Sequence, residues 1–243
     1  MSKQVPWARI AAEGTAILVS ILLAFAIQAW WEGRGEDERR HAILQRLSSD
    51  LVQSDSTLQR VLRLHQASMD AAERLIQLTR AGVTSSQLQV PVDSLLSDLL
   101  WAPIVDPPGG TVGAVLISGE LHLVPPSLVD DLSLATARWH TLIDVETRLL
   151  RAEQVDLLPY LRTRSISFAD LNWTAVVTRS GTPWEVPWEM RHTLAYRLLD
   201  DPEFESLVAD IWYQASEAAG QTAALTEALR QIRDRVLAEL GDG

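Results

Sequence analysis

Cysteine is missing from all 243 positions. Its absence excludes disulfides, thiolate metal sites and cysteine nucleophiles together. It leaves the compartment open, because a thiol-free chain tolerates oxidising and reducing surroundings alike. Lysine is almost missing as well: Lys3 is the only one, and arginine supplies the other basic side chains. Positive charge is scarce overall, with 21 basic residues against 32 acidic ones and a formal net charge of −11. Lys3, Arg9 and Glu13 leave residues 1–31 at +1, so the remainder carries −12. An acidic domain repels phosphate backbones and gains nothing from an anionic membrane surface, so nucleic acid is not an expected partner.

The motifs of common chemistries are also lacking. No glycine-rich loop suited to cradling phosphate occurs, and Gly109-Gly110 reads as part of a turn. Ser118 stands in Ile-Ser-Gly, without the first glycine of a nucleophile elbow. None of His41, His65, His122, His140 and His192 stands at a metal-ligand spacing such as H-E-x-x-H, so each reads as a surface or boundary residue. Glu185 and Glu189 could meet near His192, but Pro187 between them argues against one continuous helix, and they read as solvated carboxylates. Trp184 and Trp188 flank that segment and read as cover for a core. No catalytic residue, cofactor or metal ligand is expected from these patterns.

What is present begins with a long neutral run. Gly14 to Trp31 reads GTAILVSILLAFAIQAWW, 18 residues without a charge, bounded by Glu13 and Glu32. As a helix it spans roughly 27 Å, close to the hydrocarbon thickness of a bilayer. Trp30 and Trp31 stand where interfacial aromatics anchor such a helix. The expectation is a single transmembrane helix over residues 1–31 tethering an extramembrane domain, 32–243. A cleavable signal peptide is the rival reading, with Lys3 and Arg9 as its basic region and Ala24-Phe25-Ala26 as its cleavage site. Apolar residues continue past Ala26, which favours the anchor. A short basic tail before an apolar helix is the usual signal-anchor arrangement. It places the protein in the inner (cytoplasmic) membrane, with the N-terminus cytoplasmic and residues 32–243 periplasmic or extracytoplasmic, although Arg34, Arg39, Arg40 and Arg46 weaken the charge asymmetry. One face of the run is small: Ala12, Ala16, Ser20 and Ala24 recur every four residues, with Gln28 next in line. Small residues at this spacing let two membrane helices approach closely, so self-association is an expectation.

Beyond the anchor the periodicity is helical. Leu44, Leu47, Leu51, Leu58, Leu62, Met69, Ala72 and Ile76 draw one stripe between Arg34 and Arg80. Gly33 and Gly35 are expected to loosen the junction with the anchor, and Gly82 to stop the helix. A short helix is expected from Val92 to Trp101, then a turn at Asp106-Pro107-Pro108-Gly109-Gly110 and a short helix over 111–118, with a strand over 114–124 as the alternative. Pro125 and Pro126 open a long helix with the stripe Leu128, Leu132, Ala135, Trp139, Leu142 and Leu149, continuing to about Arg162. Glu146 interrupts that stripe and needs a partner or an exit to water. Residues 165–187 read as an irregular connection and Trp188 to Leu199 as a helix. Asp201 caps the last helix, and Pro202, Glu203 and Glu205 suit its first turn. Its seam of Val208, Ile211, Ala215, Ala218, Thr222, Leu225, Leu229, Ile232 and Val236 alternates steps of three and four, and Gly241 ends it. The expected fold class is all-α, an antiparallel bundle of long amphipathic helices with short connecting helices and coiled-coil-like packing.

The stretch Ala24-Phe25-Ala26-Ile27-Gln28-Ala29-Trp30-Trp31-Glu32-Gly33-Arg34 resembles the anchor of an uncharacterised bacterial single-pass membrane protein family, which carries something like A-L-Q-I-N-N-W-N-E-x-R. Glu13 and the Leu47 to Leu51 element are similar to family features. So are Leu116-Ile117-Ser118-Gly119-Glu120-Leu121 and Asp201-Pro202-Glu203-Phe204. The chain departs from the pattern at Ala26, where the family has Gln, and at Gln28-Ala29, where it has an Asn pair. The resemblance implies a single-pass protein with a helical extramembrane domain and implies no activity. The expected function is therefore a membrane-tethered, non-catalytic module for protein–protein interaction or scaffolding. A solute-sensing domain acting through a partner is the alternative, and an enzyme without a recognisable motif the third. The expected partners are the lipid bilayer, an unidentified protein and a second copy of the chain.

Overall fold

The structure is a computed structural model that describes residues 7–82, 92–101, 103–105, 120–167, 171, 173, 177 and 195–241. For residues 7–14, 16, 17, 120, 121, 195 and 196 it describes the backbone alone. Every regular element among the described residues is helical. In chain order these are α1 (Trp7–Ala81), α2 (Val92–Leu99), a 3₁₀ turn (Glu120–Leu123), α3 (Pro126–Arg151), a π-helical segment (Ala152–Leu157), α4 (Leu158–Thr163), a 3₁₀ segment (Ala195–Asp200) and α5 (Pro202–Gly241). The expected elements over 106–119, most of 165–187 and 188–194 lie outside the described residues.

α1 is one helix of 75 residues, about 110 Å long. It continues unbroken through Gly33 and Gly35, where a loosened junction was expected. Nothing lies within 4 Å of a Cβ placed on either glycine. Bonds from Gln28 to Glu32 (2.9 Å) and from Arg34 to Glu38 (3.4 Å) bracket them along the helix. Strong helix formers on both sides outweigh the roughly 1 kcal/mol that each glycine costs. Gly82, at φ +58°, ends the helix in the left-handed conformation that glycine adopts freely.

The bundle is built from the second half of α1 with α3 and α5. Arg40 pairs with Glu239, Arg230 with Asp55 at 2.9 Å and Arg80 with Glu205 at 2.7 Å, so α5 runs antiparallel to α1. Asp131 pairs with Arg235, and Arg148 with Glu217 at 3.0 Å, so α3 also runs antiparallel to α5 and parallel to α1. These exposed pairs contribute little energy each, but they report the register. All nine expected seam residues of α5 and all six stripe residues of α3 are buried.

On α1 the buried face follows a strict heptad, and here the expected stripe needs correction. Leu44, Leu47, Leu51 and Leu58 are buried as expected, but Leu62, Met69 and Ile76 sit only half-buried at the edge. Ala72 is buried as expected too, but the seam reaches it through Val61, His65 and Ser68 and goes on to Leu75. A seven-residue repeat keeps one side of a long helix on its neighbours. Two of its places are filled by polar residues, so an apolar pattern alone steps off the seam.

The core divides into two clusters. One gathers Ile43 to Val61, Val105, Leu123 to Leu142 and Leu225 to Val236 at the end nearer the apolar run. The other gathers Ala72 to Leu78, α2, Val145 to Ile166, Leu171, Trp173 and Leu198 to Ala218 at the far end. A buried polar layer lies between them.

The helix that begins at Pro126 reaches Thr163 close to expectation, but it widens at Ala152–Leu157, where Leu158 N–H bonds Glu153 O five residues back. Pro159 explains the widening. It has no N–H to give, and its ring would clash with the carbonyl four residues earlier in a regular α-helix. At the C-terminus of α4, Ile166 N–H bonds Leu161 O at 3.1 Å and Ser165 N–H bonds Arg162 O at 3.0 Å. This is a Schellman closure with Ser165 at φ +59° in the place usually held by glycine.

Candidate functional site

Three regions hold the residues on which a function could rest. The first is the apolar part of α1. Every described side chain from residue 18 to 34 is exposed. Leu18, Val19, Ile21, Leu22, Leu23, Phe25, Ile27, Trp30 and Trp31 are each at least half exposed, and no bundle element covers them. Trp30 and Trp31 meet edge to face with centroids 5.5 Å apart, and the Arg34 guanidinium lies 5.9 Å from the Trp30 centroid. Of the small-face residues, Ser20, Ala24 and Gln28 are exposed, and the side chains of Ala12 and Ala16 lie outside the described set. The Gln28 amide donates to Glu32 of its own helix. Among the described residues no helix is long and apolar enough to cross a membrane. The described side chains of the neutral run are Thr15 and those from Leu18 onward.

The second region is the buried polar layer. His65 and Glu146 are both fully buried, and His65 Nε2 lies 3.0 Å from Glu146 Oε1. The other carboxylate oxygen, Oε2, accepts the Val105 backbone N–H at 2.8 Å. One carboxylate thus holds together α1, α3 and the segment after α2. Ser68, one turn along from His65, is buried, and neither its Oγ nor His65 Nδ1 has a hydrogen-bond partner among the described residues. On α5, the Thr222 and Thr226 hydroxyls bond the carbonyls of Ala218 and Thr222, at 2.7 Å each. Between the Asp55–Arg230 and Arg80–Glu205 pairs, the Ala215–Thr222 stretch lies level with His65. Serine, histidine and glutamate are the ingredients of nucleophilic catalysis. Here His65 and Ser68 are 0% and 1% exposed inside a close-packed core, out of a substrate's reach. The placement of His65 in the core corrects its reading as a surface or boundary residue. His41, His122 and His140 are exposed, and His192 lies outside the described residues.

The third region is at the far end. The Tyr160 hydroxyl donates to Asp201 Oδ2 at 2.7 Å, and an Arg164 amino group donates to the same oxygen at 2.6 Å. Asp201 Oδ1 accepts the Glu203 N–H at 3.0 Å, so Asp201 caps α5 as expected. The Arg164 guanidinium lies over the Tyr160 ring, 4.5 Å from its centroid. The hydrogen bond from Tyr160, followed by that from Arg164, holds the Asp201 carboxyl below its ordinary value. Burial, followed by the Asp201 hydrogen bond, pushes the Tyr160 phenol far above its ordinary value. The hydrogen bond to Asp201 raises Arg164. Sequence spacing missed the pairing of Tyr160 and Arg164 with Asp201, because about forty residues of chain intervene. Among the described residues no cluster of three or more His, Asp or Glu could hold a metal ion.

No known protein family, curated protein or solved structure matches this chain. The likeness of residues 24–34 to the uncharacterised bacterial family therefore rests on those residues alone.

Proposed function

We propose that the chain is a membrane-tethered, non-catalytic helical module that presents its bundle to a protein partner or to a second copy of itself. The observation that supports this reading is the exposure of the apolar part of α1. A helix exposing nine large apolar side chains between Leu18 and Trp31 requires an apolar environment, and no part of the bundle supplies one. The neutral run from Gly14 to Trp31 has the length for lipid, and the Trp pair and Arg34 at its end have the chemistry of the interface. Counted from Trp31, α1 carries the far end of the bundle about 75 Å outward, since Ala81 is 50 residues on. Because α5 runs antiparallel, the C-terminal end of the bundle is the membrane-proximal one. The aromatic pair Trp212 and Tyr213 stays exposed on α5, and aromatics are the residue types that anchor protein contacts.

Fractionation of cells expressing the full chain tests the proposal. The intact polypeptide is expected to sediment with membranes, to resist alkaline carbonate and to be released by detergent. Replacing Leu22 and Phe25 by Arg is expected to abolish this behaviour. Recovery of the full-length wild-type chain in the aqueous fraction would overturn the tether.

A further inference from the structure

We propose that the cleft between the end of α4 and the 3₁₀ segment before α5 binds a small monoanionic carboxylate with a short aliphatic body. The binding groups of the cleft do not depend on the tether; the choice of a dissolved anion over a lipid headgroup rests on it. The cleft has a volume of about 200 Å³ and is lined by Arg164, Ile166, Arg197 and Leu198. That is smaller than a drug-sized site, so it suits a molecule of a few carbons. Among the described residues its lining carries both chemistries such a molecule needs: Arg164 and Arg197 for the charge, and the aliphatic Ile166 and Leu198 for the chain.

The two arginines differ in a way that fits binding. Arg164 is fixed in place. One amino group bonds Asp201, the other bonds Thr163 Oγ1 at 2.9 Å, and the guanidinium rests on the Tyr160 ring. Its Nε–H makes no hydrogen bond among the described residues. Arg197 is exposed and has no charge partner among the described residues, so its fork is available to a carboxylate. The Schellman closure at Ser165 turns the chain sharply between Arg164 and Ile166, which lets both neighbours of one residue line the same cleft.

The surrounding charges decide the class of anion. Asp201 at 2.6 Å and Glu203 at 3.8 Å already offset Arg164, leaving Arg197 as the cleft's charge without a partner among the described residues. The domain as a whole is acidic. Asp201 and Glu203 repel a dianion about twice as strongly as a monoanion at the same place, so the monoanion keeps more of the attraction of Arg164 and Arg197. Arg80 pairs with Glu205 in the first turn of α5, so the cleft lies at the end of the bundle opposite the apolar run. Headgroups of a membrane holding that run are about 75 Å away along α1, which leaves a dissolved anion as the source.

The test uses the full chain in detergent, with butyrate, inorganic phosphate and chloride as probes at matched ionic strength. Thermal unfolding and ligand-observed NMR are the readouts. Butyrate is expected to raise Tm saturably and to receive magnetisation from the protein, while chloride does neither. Arg197→Gln is expected to weaken butyrate binding at least tenfold, Arg197→Lys by less, and the exposed Arg138→Gln not at all. Because Arg197 is exposed and holds no ion pair among the described residues, its substitution is expected to leave the unliganded Tm in place. The NMR readout does not depend on stability in any case. Absence of saturable butyrate binding overturns the proposal, as does binding that survives Arg197→Gln. Binding of phosphate in preference to butyrate overturns the assignment to a carboxylate monoanion.

Discussion

His65 and Glu146, 81 residues apart in the chain, meet inside the bundle at the level where its core changes from one apolar cluster to the other. Each occupies a place in its helix's seam that the repeat reserves for an apolar side chain. On α1 that place falls in the heptad through Leu44, Leu51, Leu58 and Ala72. On α3 it falls between Leu142 and Leu149. Thr222 takes the matching place in the α5 seam. Three helices therefore put polar groups in the seam at one level. A polar layer of this kind fixes register in coiled coils at a cost in stability, because sliding any helix by a heptad strands a buried polar group against leucine.

The first prediction concerns this layer. Glu146→Ala removes the partner of His65 Nε2 and of the buried Val105 N–H together, and it leaves a cavity. Each buried group so orphaned costs about 1–3 kcal/mol, so a loss of about 3–5 kcal/mol is expected in chemical denaturation. The double variant His65→Leu/Glu146→Leu is expected to recover a large part of the loss, because apolar side chains then fill the seam. It is also expected to broaden the distance distribution between spin labels at positions 52 and 237. A double variant as unstable as Glu146→Ala, with an unchanged distribution, would remove the register argument.

Ser165 is the second. It holds φ +59° without being glycine, in a closure whose hydrogen bonds are both made. The left-handed conformation costs an L-residue about 1–2 kcal/mol, of which glycine's greater entropy loss on folding returns a part. Ser165→Gly is therefore expected to stabilise the fold by about 0.5–1 kcal/mol, whereas a β-branched Ser165→Val is expected to destabilise it by about 1 kcal/mol or more. Denaturant midpoints of the two variants decide the matter. A destabilised glycine variant would mean that the serine side chain contributes more than its backbone costs.

The third concerns pH. The folded-state pKa of Asp201 is depressed, first by the hydrogen bond from Tyr160 and then by that from Arg164. A carboxylate of this kind adds stability above its unfolded-state value, about 3.8, and the contribution disappears as pH falls through the lower folded-state value. Tyr160→Phe removes the largest cause while keeping a ring to stack on Phe204, whose centroid is 6.2 Å away. The variant is expected to be less stable than the wild type at neutral pH, where Asp201 is ionised. The gap to the wild type should narrow once acid has protonated Asp201 in both. Carboxyl ¹³C shifts should show Asp201 titrating at higher pH in the variant. A gap that stays constant into acid would dissociate the hydroxyl from Asp201.

The three long helices were legible because their signals are local. Alternating steps of three and four drew the α5 seam and the α3 stripe, and Asp201 before Pro202 marked a cap that forms within one turn. Glu146 could be seen to need a partner, but not which one, since hydrogen bonding across 81 residues leaves no trace in spacing. The same blindness moved the α1 stripe. Following apolar residues led to Leu62 and Met69, because the true seam at that level is His65 and Ser68. Pro159 widens the helix into a π-helical turn over Ala152–Leu157 instead of ending it, and Tyr160 and Leu161 beyond it are buried in the core. Serine in a left-handed closure has no sequence signal, and the cleft beside it joins two segments about thirty residues apart.

The last prediction tests whether the junction between the apolar run and the bundle is a hinge. Gly33 and Gly35 were expected to make it one, and the structure carries α1 through both with open space around each α-carbon. Alanine in their place meets no neighbour, so its only effect is on helix propensity, about 1 kcal/mol per position. Gly33→Ala/Gly35→Ala is expected to slow amide exchange over residues 30–38 by roughly tenfold or more, because opening there becomes costlier. The global unfolding midpoint should stay in place, since the first buried side chain of the bundle is Ile43, beyond both sites. If wild-type amides in this stretch already exchange as slowly as those of the alanine variant, the glycines add no local weakness and α1 transmits displacement as a rod. If wild-type exchange is fast and the alanines suppress it, the continuous helix breathes at the place where the bundle meets its apolar extension. A change in the global midpoint would contradict the open surroundings of the two glycines.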